Sequence, residues 1–315
     1  MQYNLLSIFC FLFFIMNLSA QTPEPVDLAF PELLSEFQNI RDFSMASDGT
    51  ELFFTAQSHL GELSIIVQAI KKNSSWETKL FLPHSGKYKD LEPFLSPDGL
   101  KLYFASNRPF KNESEIKTDF DIWYLERKSQ DDKWSDPINI GTSVNTEFHE
   151  FYPPVAANEN LYFTSDRPEG KGKDDIYKSE WNSNSYKTPI SLSDSINSEG
   201  YEFNAYISPK EDFLIFSGYD REDGLGSGDL YKSTRLKDGN WKLSQNLGTT
   251  INSDKMDYCP FIDYTTNTLY FTSKRSGIMA KEFLILEDFK TALKISENGQ
   301  SKIYKVNFNP NQLLN

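Results

Sequence analysis

Cysteine is nearly absent from this chain of 315 residues: Cys10 lies in an apolar leader, and Cys259 stands alone in the remainder. A single thiol makes no internal disulfide, so packing has to carry the stability. Histidine is almost as scarce. His59, His84 and His149 are the full set, with no HExxH or paired-His spacing among them, so no zinc signature is present. Basic residues are in deficit, 32 Lys and Arg against 45 Asp and Glu, for a formal charge of −13. That balance argues against nucleic acid, whose phosphates demand a basic face. No stretch after residue 20 is apolar over the length of a membrane helix, so no transmembrane segment is expected in the mature chain. GxSxG and P-loop patterns are missing as well, and the glycines of SGYDREDGLGSGD, residues 217–229, lack the strand-to-helix setting of a phosphate cradle.

What the sequence does have begins with MQYNLLSIFCFLFFIMNLSA, apolar from Leu5 to Met16 and closing on Leu-Ser-Ala. It reads as a secretory signal of residues 1–20, cleaved after Ala20, although only the α-amino group supplies positive charge ahead of it. Phe9 is too bulky for the small residue that precedes a lipid-modified cysteine. The expected location is therefore periplasmic or extracellular, with residues 21–315 as a single, monomeric domain.

That domain is repetitive. A Leu-x-Phe core recurs at Leu52, Leu102, Leu161, Leu214 and Leu269, at intervals of about 50 to 60 residues. Each copy joins a polar or Gly-containing turn to an alternating apolar run, as in SPDGLKLYFASNRP from Ser96, which is hairpin grammar. A third strand follows each: ELSIIVQAI from Glu62, DIWYLE from Asp121, DIYKSE from Asp175, DLYKST from Asp229 and KIYKVNF from Lys302. A fourth pairs an aromatic residue with a later aliphatic one: Trp76 with Leu82, Trp134 with Ile140, Tyr186 with Leu192, Trp241 with Leu247. The same spacing appears once ahead of the first hairpin, at Leu28, Pro31 and Leu34, and no fourth strand follows the last third strand. The pattern predicts an all-β fold, a five-bladed β-propeller of four-stranded antiparallel blades in which the N-terminal strand completes the last blade and closes the ring.

On the residues Ser96-Pro97-Asp98-Gly99, Leu102-Tyr103-Phe104, Ser106-Asn107-Arg108 and Asp121-Ile122-Trp123, the chain resembles the TolB-type propellers of bacterial envelope proteins, which carry the Pro-Asp variety of the WD-like repeat. The signature is complete in the second repeat and eroded in the others. The resemblance implies the fold and an envelope-facing binding role, and it implies no reaction.

Candidate site residues follow from the register. Asp90, Glu150, Glu202 and Asp257 stand ahead of four of the hairpins, where the chain crosses from a fourth strand to the next innermost strand. Asn145, Asn197 and Asn252 precede three of them, and the whole set is expected to point to one mouth of the central channel. Arg108, Arg167, Arg221 and Arg275 leave the second strands at the same edge, and Asp121, Asp175 and Asp229 open third strands there. In one reading each Arg bridges the two acids of its blade and pins the strand ends. In the other, crowded carboxylates seek a cation or a basic partner, which makes the four acids and four arginines the ligand- or partner-binding candidates. No motif calls for a cofactor or metal; a Ca²⁺-stabilised ring, which no motif marks, is a third reading, detectable as a rise in melting temperature with added calcium.

The loops on that rim break the symmetry, most of all the insert 276–301, whose Phe283, Leu284, Leu286, Phe289 and Leu293 can share one face of a short helix. Cys259 is expected to be a buried, inert thiol. The leading expectation is a non-catalytic binding or scaffold protein that recognises an envelope protein or glycan through this rim. The alternative is a carbohydrate-active hydrolase or lyase, with Glu150, Glu202 and His149 as weak acid-base candidates. It requires at least one rim carboxylate without an arginine partner.

Overall fold

The structure, a computed structural model, describes residues 25–110 and 117–314; the leader expected over residues 1–20 lies outside them. The chain opens with β1 (Asp27–Leu28) and the short helix α1 (Pro31–Leu34). Blade 1 is β2 (Asn39–Met45), β3 (Glu51–Gln57), β4 (Ser64–Lys72) and β5 (Ser75–Leu80). Blade 2 is β6 (Asp90–Leu95), β7 (Lys101–Ser106), β8 (Asp121–Glu126) and β9 (Ile138–Asn139), and blade 3 is β10 (Glu150–Phe151), β11 (Leu161–Ser165), β12 (Asp175–Ser179) and β13 (Ile190–Ser191). Blade 4 is β14 (Tyr201–Ile207), β15 (Phe213–Tyr219), β16 (Gly228–Thr234) and β17 (Gln245–Asn246). Blade 5 is β18 (Asp257–Asp263), β19 (Thr268–Ser273) and β20 (Lys302–Asn307), completed by β1, which pairs Asp27 with Lys305 and Leu28 with Tyr304. The protein is a five-bladed β-propeller closed by its N-terminal strand.

The closing element is shorter than its sequence spacing suggests. Among the described residues only Asp27 and Leu28 pair in register, with the Ala29 N–H adding one bond to the Ile303 carbonyl; Pro31 starts α1, which buries Leu33 and Leu34 against the core. Proline has no N–H for a strand ladder but fits the first turn of a helix, so the strand stops there.

Each second strand lies between neighbouring blades and is covered on both faces. Leu52, Leu102, Leu161, Leu214 and Leu269 are all 0 % exposed, and the aromatic residues beside them fill the space between blades. At about 1.5–3 kcal/mol per fully buried large apolar side chain, this repeated position is the main cohesive element of the ring.

The innermost strands carry an irregularity that repeats. Asp42, Glu92, Tyr152, Asn204 and Cys259 occupy the left-handed region, with φ of 58°, 61°, 45°, 50° and 52°. Four of them sit at register shifts in the pairing of β2, β6, β14 and β18. A bulge of this kind re-aims one side chain and leaves its N–H without a ladder partner. The N–H of Asp42 is bonded to the Thr272 hydroxyl, that of Glu92 to Thr55 and that of Asn204 to Thr164, each on the second strand of the preceding blade. At the matching position blade 2 has Ala105, and the Tyr152 N–H donates instead to Oε2 of Glu92 at 2.7 Å.

Candidate functional site

The four acids and four arginines singled out by register meet blade by blade. Arg108 Nη2 lies 2.8 Å from Asp90 Oδ1, Arg167 Nη2 2.9 Å from Glu150 Oε1, Arg221 Nη2 2.8 Å from Glu202 Oε1 and Arg275 Nη2 3.5 Å from Asp257 Oδ1. All four acids are 0 % exposed. Burial pushes the carboxyls of Asp90 and Glu150 up; Arg108 opposes this for Asp90, and Thr146 together with Arg167 opposes it for Glu150. Thr146, Ser198 and Ser253 donate both backbone N–H and hydroxyl to Glu150, Glu202 and Asp257. Each guanidinium also stacks between two rings. Arg221 lies 5.2 Å from Phe216 and 4.5 Å from Tyr231, and Arg108, Arg167 and Arg275 sit likewise over Phe104 and Trp123, Phe163 and Tyr177, and Phe271 and Tyr304. The aromatic residue of each Asp-Ile-Trp-like third strand is thus the far wall of an arginine slot.

Two sequence-based expectations are corrected here. The arginines do not bridge to the third-strand acids; their spare donors go to the carbonyls of Val144, Ile196 and Ile251. Asp121 pairs with Lys117, while Asp175 and Asp229 accept loop N–H groups, from Lys171 and Gly172 and from Leu225 and Gly226. Nor do the asparagines face the channel. Asn145, Asn197 and Asn252 each accept from the N–H and donate to the C=O of one third-strand residue, Ile122, Ile176 and Leu230 respectively. An amide side chain presents the same donor-acceptor pair as a strand, so it substitutes for one where the fourth strand ends early.

Blade 1 supports the architectural reading of these pairs. It has Ile40 where the acid would be, Ser58 where the arginine would be and Val67 where the ring would be. The three elements are lost together, as a mutually dependent set would be.

His149 is stacked on Phe151 with ring centroids 5.1 Å apart, and its Nδ1 accepts from the Phe120 N–H at 3.3 Å. The His149 backbone N–H donates to Asp166 Oδ1. Nearby Asp174 is pushed up to about 6 by burial and by the charge of Asp166, with His149 opposing. His149 makes no contact with Glu202 that would form an acid-base pair with it.

Apart from Cys259, the residues that do face the channel were not identified from sequence. Arg41 donates through Nε to Asp42 Oδ1 at 2.8 Å and through Nη2 to Glu92 Oε1 at 2.7 Å, and its guanidinium lies 5.2 Å from the Tyr258 ring. The Cys259 thiol donates to Asp42 at 2.8 Å, and the Asn204 amide reaches Glu92 at 3.3 Å. Burial pushes Glu92 up to about 7, with Asp42 adding to the rise and Arg41 opposing it. Burial and the neighbouring Asp42 push the Cys259 thiol well up, so it is held as the unreactive thiol. Counting two residues on from each rim acid would have found Glu92, Tyr152, Asn204 and Cys259. Arg41 and Asp42 carry no such signal, because their blade lacks the acid.

Above this plug lies the channel mouth, a cavity of roughly 560 Å³ on the same rim as the variable loops. Arg41, Leu91, Phe151 and Tyr258 face it from the inner strands, Phe120 and Leu60 from loops, and Gln300 from the end of the insert. The insert forms α2 (Leu286–Ala292) as its spacing predicts, but α2 buries no residue, and Leu284 is 87 % exposed. A bridge between Ser276 and Asn298 pins its base. Among the described residues no group of three or more His, Cys, Asp or Glu is gathered to hold a metal ion, and no helix is long and apolar enough to cross a membrane.

No family model matches the sequence, and no curated protein matches it. Solved structures do share the fold. The α-L-arabinofuranosidase PaAbf62A of Podospora anserina, solved with cellotriose, aligns with a TM-score of 0.53 at 11 % identity over 85 % of this chain and 90 % of that one. A GH62 hydrolase solved with xylotriose aligns with a TM-score of 0.51 at 11 % identity, over 90 % and 94 % of the two chains. TolB from Acinetobacter baumannii is also similar, with a TM-score of 0.46 at 11 % identity over 86 % of this chain; the alignment spans 55 % of that TolB. At these identities the likeness to the two hydrolase structures extends to the propeller fold alone and leaves the activity to the site.

Proposed function

We propose that the protein is a non-catalytic binding module of the periplasm or cell exterior, which seats an envelope protein or polymer on the loop-bearing rim, over the channel mouth. One observation carries the reading. The four innermost-strand carboxylates, Glu150 and Glu202 among them, are each held in their blade by an arginine, while the mouth beside them is open and ringed by unequal loops. Recognition on a propeller is expected where loops diverge over a rigid ring. The test is capture from gently solubilised envelopes of the native host, comparing wild type with a variant whose residues 279–294 are replaced by a Gly-Ser linker. Because α2 buries nothing, the variant should melt as wild type does. A component retained by wild type and lost from the variant supports the module. Turnover of an envelope glycan or peptide, abolished by one rim substitution, would refute it.

A hydrolase or lyase is the second reading, favoured by one feature: Glu92, held near 7 beside Asp42, is a carboxyl poised for proton transfer. Its catalyst would then be Glu92 rather than Glu150 or Glu202, and Arg41 would have to swing away to admit substrate. An activity present in wild type and absent from Glu92→Gln, with ligand binding unchanged, would establish it.

A further inference from the structure

Resting on the binding-module reading, we propose that the ligand of the channel mouth is an anion, a carboxylate or phosphate group on a ring-bearing molecule, received on the arc formed by blades 5, 1 and 2. Among the described residues the wall of the mouth contains Arg41, Lys89 and Lys274 and not one carboxylate. In a chain with 45 acids against 32 bases, such a surface runs against the composition. Neither lysine is held in an ion pair among the described residues, and both stand on a concave wall with Leu91, Phe120 and Phe151. Low-dielectric walls focus the field of such charges on the cavity.

Arg41 gives the site a fixed donor at its floor. Asp42 and Glu92 hold its Nε and Nη2, and the Tyr258 ring lies 5.2 Å from it. Among the described residues Nη1 donates to no protein acceptor, and 21 % of the side chain stays open. Since Asp42 and Glu92 already offset the guanidinium charge, the lysines supply the excess positive charge and Arg41 the oriented hydrogen bond. Phe120 and Phe151, with ring centroids 5.2 Å apart, form a tilted pair on the wall that suits a ring of the ligand. Outside the wall, Asp42 and Glu92 are committed to Arg41, and Glu62, next to Gly61, accepts from Ser58; Asp166 and Asp174 gather around His149 on blade 3. They repel an anion from that side and orient it toward the lysines.

The test uses matched pairs of probes: trigalacturonate against its methyl ester, and glucose 6-phosphate against glucose. Binding is followed by calorimetry and by amide NMR shifts, on wild type and on a Lys89→Gln/Lys274→Gln variant whose melting temperature is checked. In at least one pair the charged member should bind about tenfold tighter or more, shift amides around Arg41, Lys89 and Gln300, and lose that advantage in the variant. The salt dependence should weaken in the variant as well. The pair that responds tells carboxylate from phosphate. Equal binding of charged and neutral probes overturns the anion and leaves the binding module standing. Charged-probe binding that the variant retains, or the absence of binding in both pairs, also overturns it; envelope capture then remains the separate test of the module.

Discussion

Glu92 should make the stability of this propeller fall as pH rises through neutrality, the reverse of what a surface-paired carboxylate does. Its carboxyl goes from an ordinary 4.5 to about 7 on folding, so the folded state binds the proton more tightly than the unfolded one. The stabilisation is complete below about pH 4.5 and is lost as pH rises through about 7. The difference is worth about 3 kcal/mol at about 1.4 kcal/mol for each tenfold in proton affinity, which for a domain of this size is roughly 6 °C in melting temperature. Asp174, raised to about 6, contributes in the same direction, so the wild-type curve alone does not isolate Glu92. Glu92→Gln does. The amide is neutral at every pH, as the carboxyl is at pH 5, but it sets an NH2 against Arg41 or the Tyr152 N–H where wild type has an oxygen, so the variant should melt lower at pH 5, by about 1–3 kcal/mol of unsatisfied bonding. Its melting temperature should then decline less between pH 5 and pH 8 than that of wild type. The assay is scanning calorimetry of both proteins at half-unit pH intervals. Parallel curves over that range would refute the placement of Glu92 as a buried, proton-binding group.

Three further outcomes follow from the same contacts. Arg167→Ala leaves Glu150 buried without its cation and should cost about 3–5 kcal/mol, read by denaturant titration, whereas a cost below 1 kcal/mol would mean that the pair is solvated. Asn197→Ala removes the bonds to the Ile176 N–H and C=O and should cost about 2–3 kcal/mol; hydrogen exchange should quicken first at the blade 3 to blade 4 crossing. In a Glu92→Ala background, Ala105→Thr should restore about 1 kcal/mol by giving the Tyr152 N–H the hydroxyl its counterparts have in other blades. Additive effects of the two substitutions would refute that relay.

The ring was legible in the sequence because its cause is periodic. Leu52, Leu102, Leu161, Leu214 and Leu269 do the same packing work in each blade, and a repeated physical demand leaves a repeated residue. The acid-arginine pairs were legible for the same reason, though the role of the neighbouring asparagines was not: the Asn145-type clamp depends on how early a fourth strand ends, which spacing does not show. The channel plug was hidden because its five positions, Asp42, Glu92, Tyr152, Asn204 and Cys259, share a backbone conformation and not a side chain. A bulge specifies φ and direction, and each blade then fills the position with different chemistry.

The two-residue clasp between β1 and β20 also sets the order of assembly. Asp27 and Leu28 find their partners in Lys305 and Tyr304, so a nascent chain holds its first strand unpaired until nearly all later blades have been made. Blades 1 to 4 can form from local hairpins as they emerge, but the fifth waits for the two ends to meet. That long-range encounter is the slow kind of contact, and until it occurs the edge of β20 is free to pair with another chain. The clasp is thus the step at which a folding molecule commits to its own ring instead of a neighbour's.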